Sequence, residues 1–171
     1  MWFQASEEQL RASGRQSRGV KSMSMREGDT IADMFVVPRN EAVPKGGEAA
    51  EQQLVAVTRL GFGKRLALDH FRAQQRGGKG VIAIKFKRDD DRLLALSPAT
   101  ATDDDELLLI TQKGTIVRQR LSAITQQGRA TTGVKLQKLD EDDLVASVKV
   151  VPAAEEDEEA EDEEATPGAS E

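Results

Sequence analysis

The 171-residue chain has no Cys, no Tyr and one His, which excludes disulfides, thiolate metal sites and any mechanism built on a tyrosine nucleophile. No apolar run approaches the roughly 20 residues of a membrane-spanning helix and no signal-peptide pattern opens the chain, so a soluble, cytoplasmic protein is expected. The net charge of −6 hides an uneven distribution: residues 153–171 hold ten acidic residues and no basic one, leaving 24 basic against 20 acidic residues in positions 1–152.

In chain order, that mildly basic body reads as three copies of one unit. The pattern Arg-x3-Gly-Val occurs at Arg15–Val20, Arg76–Val81 and Arg129–Val134. The last two copies lie 53 residues apart, and Thr58-x2-Gly61-x3-Arg65 recurs with the same spacing as Thr111-x2-Gly114-x3-Arg118. Between the first and second copies the spacing is 61. The segment 38–53, rich in Pro, Gly, Ala and Glu, is expected to be an insertion loop that supplies the difference. The repeats then span about residues 1–37, 54–100 and 106–152.

The last repeat shows the unit most clearly. Leu107–Thr111 is an apolar strand, and Gln112-Lys113-Gly114 is a turn in which Gly takes a positive φ. Thr115–Leu121 alternates, placing Arg118 and Arg120 on one face with Val117 and Leu121 on the other. A loop over Ser122–Gly133 leads to a third strand, Val134–Leu139. Asp140–Asp143 turns the chain into a fourth, Leu144–Val151, with Leu144, Ala146, Val148 and Val150 expected on one face. Four short antiparallel strands in about 40–50 residues predict an all-β, propeller-like blade. In this register Met1 takes the place of Thr115, so the chain starts inside a blade. About two and three-quarter blades are present, an incomplete ring, unless a strand is exchanged between neighbouring blades or chains. Residues 153–171 cannot bury enough apolar surface to order themselves and are expected to be disordered.

The segment Gln74-Gln75-Arg76-Gly77-Gly78-Lys79-Gly80 resembles the gyrase box of the DNA gyrase A subunit. Thr58–Arg65 and Gly128–Val134 are similar to repeat signatures of that subunit's C-terminal domain. Gly28-Asp29 and an acidic tail behind the last repeat fit as well, and the resemblance covers residues 1–152. It implies a β-pinwheel that wraps duplex DNA around a basic rim. It also implies partners in the gyrase B subunit, besides the remainder of gyrase A, with ATP and Mg held elsewhere in the assembly and no cofactor in this chain. The family's main box sits in the first blade, whereas this copy lies in the penultimate one.

By the residues themselves, Arg76 and Lys79 offer charge to phosphates, and the three glycines let the backbone come close. Arg15, Arg18 and Lys21 in the first repeat, and Arg129 and Lys135 in the third, occupy equivalent loops. Lys64, Arg65, Arg118 and Arg120 on second strands are expected to extend the track. Other chemistry is poorly supported. Gly14-x4-Gly19-Val20-Lys21 and Gly128-x4-Gly133-Val134-Lys135 lack the Ser or Thr of a nucleotide-binding loop. The acidic runs at 89–91, 103–105 and 140–143 lack calcium-loop spacing and fall where strands turn. His70 has no partner at catalytic spacing, and Trp2 and Phe3 are expected to be core residues left exposed by a missing strand. Topoisomerase IV's matching domain, a propeller-type interaction module without nucleic acid, and a gene fragment that does not fold alone are the rival readings. Few aromatics count against the second, and Arg76–Gly80 favours gyrase over topoisomerase IV.

Overall fold

The computed structural model describes residues 1–37, 52–100 and 105–151. They form seven strands in two antiparallel sheets and three single-turn 3-10 helices. Among the described residues, no helix is long and apolar enough to cross a membrane.

The second repeat supplies β1 (Gln52–Thr58), β2 (Phe62–Ala67) and β3 (Leu93–Thr100). The third supplies β4 (Glu106–Thr111), β5 (Ile116–Arg120), β6 (Val134–Lys135) and β7 (Val145–Val151). Composition carries the insertion loop as far as residue 53, yet Gln52 and Gln53 already pair with β2 or β3. The acidic tail lies outside the described residues.

Each repeat does not build its own four-stranded blade. The first sheet runs β3-β1-β2-β6 and the second β5-β4-β7, so the third repeat hands β6 to the sheet of the second. This strand is also shorter than the expected Val134–Leu139. The same exchange joins the first repeat to the second. Trp2 N donates to Val81 O at 2.6 Å and Val81 N to Trp2 O at 2.7 Å, in an isolated antiparallel bridge. Trp2 pairs with Val81 as Gly63 pairs with Val134, and the two pairs are separated by the 61- and 53-residue repeat spacings. The 3-10 turns at Glu7–Gln9, Leu68–His70 and Leu121–Ala123 fall in the same register. Among the described residues the first repeat forms no ladder of its own.

Two cores hold the repeats together. Val55 and Val57 on one face of β1 join Leu107, Leu109, Leu121, Ile124 and Val145. Leu54 and Ala56 on the other face join Leu66, Phe71, Ala83, Ile84 and Leu96. β1 is therefore buried on both faces, which is why its sequence is continuously apolar rather than alternating. Each large aliphatic side chain so buried contributes on the order of 2 kcal/mol. Trp2 is not left bare as expected: its ring centroid lies 5.4 Å from that of Phe35 and 5.3 Å from that of Phe71. In β7 a register shift between Ile110 and Thr111 moves the buried position to Val145, so Ala146 is exposed while Val148 and Val150 keep their inward face.

Two of the acidic runs, 89–91 and 140–143, cap turns, while residues 103 and 104 lie outside the described residues. Asp91 Oδ1 accepts from Leu60 N and Arg92 N, and Asp143 Oδ1 from Lys113 N and Leu144 N. Burial would raise the Asp143 carboxyl, but hydrogen bonds from Thr111 and these two amides hold it below its ordinary value. Among the described residues, no cluster of His, Asp or Glu could hold a metal ion.

Candidate nucleic-acid interface

The second and third repeats each place one loop beside the receiving strand of the repeat before. The loop of the second repeat, 74–80, is seated on the first. Gln74 N donates to Gln4 O at 2.7 Å and Gly77 N to Ser22 O at 2.7 Å. Gln9 grips it from the side: Nε2 donates to Gln74 O at 3.1 Å while Oε1 accepts from Arg76 N at 2.9 Å. Ser24 donates through Oγ to Gly77 O and through N to Gly78 O.

The loop of the third repeat, 127–133, is seated on the second in the same frame. Gln127 N donates to Arg65 O at 2.9 Å and Lys85 N to Thr131 O at 3.0 Å. Its side-chain clamp differs. Lys64 Nζ lies 2.8 Å from Gly128 O, 2.9 Å from Arg129 O and 3.0 Å from both Thr131 O and Thr131 Oγ1. Lys64 has no solvent exposure, and burial pushes its pKa from 10.5 down to about 8.

These contacts reassign part of the predicted site. Lys64 is not on the surface; its charge is spent on three carbonyls and a hydroxyl. Arg65 is likewise committed, with Nε donating to Ile124 O at 2.6 Å and Nη1 to Gln53 Oε1 at 3.2 Å. Arg118 pairs with Glu106 on the adjacent strand. Two of the three glycines of the box, Gly78 and Gly80, serve packing. A Cβ on Gly80, at φ +74°, would sit 2.3 Å from Trp2 O, and one on Gly78 would press on the Phe3 ring and Gln74. Within the loop the amides of Gln74, Arg76 and Gly77 are already used by Gln4, Gln9 and Ser22.

Arg15, Arg18, Lys21, Gln75, Arg76, Lys79, Arg120 and Lys135 are all exposed, with Gln74 and Arg129 partly buried. The Arg129 guanidinium lies 6.0 Å from the Phe71 ring centroid. Lys135 and Lys87 flank Phe62, their ammonium groups 6.0 and 5.4 Å from its ring centroid. Lys85 and Lys87 are exposed additions to this edge that sequence reasoning missed. Their signal was the Lys-Phe-Lys alternation just past the box. Exposed cations thus recur on loops seated on the preceding repeat, loop 74–80 through Ser22 to Gly77 and loop 127–133 through Lys85 to Thr131. A row of such groups suits a polyanion better than a compact ligand.

Residues 3–38, 52–100 and 105–152 match the family model described as DNA gyrase C-terminal domain, beta-propeller. The chain is 42% identical to the DNA gyrase A subunit of Synechocystis sp., over 93% of this chain and 21% of that protein. It is 33% identical to the DNA gyrase A subunit of Staphylococcus aureus, over 96% of this chain and 17% of that protein. The chain therefore spans about a fifth of the length of these relatives. Among solved structures, it is similar to the C-terminal domain of DNA topoisomerase IV, with TM-score 0.70 and 26% identity over 86% of this chain and 42% of that one. It is also similar to a DNA gyrase A C-terminal domain, with TM-score 0.59 and 25% identity over 82% and 44%.

Proposed function

The chain belongs to the DNA gyrase C-terminal domain family, and we propose that it binds duplex DNA along its row of loops and bends it there without reading sequence. The observation that carries this is the recurrence of cations at equivalent places in the three repeats, Arg15, Arg18 and Lys21, then Arg76 and Lys79, then Arg129 and Lys135, all exposed except the partly buried Arg129, with the second and third of these loops each seated on the preceding repeat. Phosphate contacts position a duplex but carry no sequence information. Neutralising them along a curved edge releases counterions and offsets the cost of bending, on the order of a few kcal/mol for a short site.

In this reading the chain works in the bacterial cytoplasm as part of DNA gyrase, a type IIA topoisomerase that introduces negative supercoils with ATP. Strand cleavage, ATP and Mg belong to the remainder of gyrase A and to gyrase B, and this chain supplies DNA wrapping and no catalytic group. Residues 153–171, acidic throughout and following β7 in the chain, compete with DNA for the basic loops. A topoisomerase IV role is the second reading, favoured by the TM-score of 0.70 to that enzyme's domain. Negative supercoiling by the parent enzyme separates the two.

The test is binding of this chain to linear duplexes of unrelated sequence across a salt series. Affinity should be the same for each duplex and fall steeply with salt. The Arg76→Ala/Lys79→Ala double variant should weaken binding to all of them and flatten the log–log salt slope by about 2. Binding that ignores salt, or a double variant that binds as before, overturns the reading. Deleting residues 153–171 should raise affinity at low salt; unchanged affinity removes the competition from the proposal.

A further inference from the structure

The two loop junctions put different side chains at one place. By the 61-residue spacing Phe3 is the counterpart of Lys64, and by the 53-residue spacing Gly78 is the counterpart of Thr131. Phe3 lies under Gly78, its ring 3.2 Å from where a Cβ would stand. Lys64 lies under Thr131, with Nζ 3.0 Å from both O and Oγ1. An apolar ring thus fills this place at one junction, and an ammonium with no solvent exposure fills it at the other. In the third repeat the place belongs to Val117. Burying a charge is costly even when it is hydrogen-bonded, and Phe3 shows that the fold does not require one here.

What the charge holds is the backbone around Arg129, the counterpart of Arg76 in the box. The acceptors of Lys64 Nζ are Gly128 O, Arg129 O, Thr131 O and Thr131 Oγ1, all within one turn of the loop. The Arg129 guanidinium then stands beside the Phe71 ring. No carboxylate answers the ammonium. Opposite it on β1 is Ala56, and Arg65 on its own strand reaches instead to Ile124 O and Gln53. Lys85 and Lys135 are exposed, as are Asp69 and His70 on the 3-10 turn after β2. Burial alone lowers the Lys64 pKa to about 8.

We propose that Lys64 is a positioning residue for DNA: its buried ammonium holds the loop in the shape that presents Arg129 to a backbone phosphate, although Lys64 itself touches no DNA. This rests on the reading that the loops bind DNA, and adds that one of their contacts depends on a proton. An ammonium donates three hydrogen bonds and a neutral amine only two, so loss of the proton frees part of the loop from its clamp. A phosphate at Arg129 favours the clamped loop and therefore the charged amine, which raises the Lys64 pKa when DNA binds. The affinity this loop contributes is full below about pH 8 and is lost as pH climbs past it. The box, clamped by the neutral Gln9 and Ser24, has no such dependence.

The test is binding of the full chain to a linear duplex at constant ionic strength from about pH 7 to about 9.5, below the range in which exposed lysines titrate. Wild type should lose about fivefold in affinity over that range. Arg129→Ala removes the contact and leaves the clamp, so its affinity should be level with pH. Lys64→Met should weaken binding about fivefold at pH 7 and add no pH dependence. In double-mutant cycles at pH 7, Lys64→Met should have almost no effect on an Arg129→Ala background and its full effect on an Arg76→Ala background. Circular dichroism checks the fold of each variant, and the wild-type and Arg129→Ala profiles decide the matter even where Lys64→Met does not fold. A level wild-type profile, or one whose slope survives Arg129→Ala, overturns the proposal and leaves DNA binding standing. So do additive effects of Lys64→Met and Arg129→Ala. A wild-type chain that binds no duplex at pH 7 overturns the DNA reading and this proposal with it.

Discussion

The loops 74–80 and 127–133 share a frame and differ in what clamps it. Both hang from a neighbour through equivalent amides, Gln74 N to Gln4 O and Gln127 N to Arg65 O. Both close on a glycine whose missing Cβ lets a backbone carbonyl come close, Trp2 O for Gly80 and Gly63 O for Gly133. The box is then held by neutral groups, Gln9 and Ser24, whereas its copy is held by one buried ammonium, Lys64. A loop clamped by neutral side chains is indifferent to pH and keeps its basic residues free. A loop clamped by a lysine consumes a cation and inherits its titration.

The comparison can be broken most severely at what the loops share. Gly80→Ala and Gly133→Ala each force a Cβ to 2.3 or 2.4 Å from a backbone carbonyl at positive φ, which should cost about 3 kcal/mol or more in chemical denaturation. Gly77→Ala, also at positive φ but facing open space, should cost only about 1 kcal/mol. Equal losses at Gly77 and Gly80 would show that close approach is not what selects glycine at position 80.

Removing the clamps should then separate the loops. Lys64→Met leaves the carbonyls of Gly128, Arg129 and Thr131 without their shared donor and should cost about 2 kcal/mol. Hydrogen exchange should speed up in 127–133 and not in 74–80. Gln9→Ala removes two hydrogen bonds from the box and should cost about 1 kcal/mol, with faster exchange confined to 74–80.

The smallest effect is in pH. Lys64 has a folded pKa of about 8 against 10.5 when unfolded, so the folded chain holds fewer protons between those values. Stability relative to Lys64→Met should therefore rise as pH climbs from about 8 towards 10.5, and stay level below 8. Denaturation of both proteins across that range and one step below it reads this difference directly. A flat difference would mean that the carbonyls hold the ammonium as well as water does.

Much of the architecture was legible because repetition and alternation act within short stretches of chain. Strands β4, β5 and β7, the turns between them and the three loops follow from apolar runs and Gly punctuation. What stayed hidden is where side chains go. Lys64 lies in a strand whose sequence, Phe-Gly-Lys-Arg-Leu-Ala, gives no sign that its amine runs under a loop 64–67 residues later. Ala146 and Val145 changed places because a bulge shifts phase without leaving a mark in the pattern.

The amino-acid sequence alone determined the all-β character, the three repeats and their 53- and 61-residue spacings, and the loops that carry Arg15, Arg76 and Arg129, because these rest on local periodicity and identical short motifs. Only the tertiary structure decided which sheet β6 completes and which cations remain on the surface. Pairing partners, burial and close backbone approach depend on residues far apart in the chain, and a strand pairs as well with a neighbour's sheet as with its own.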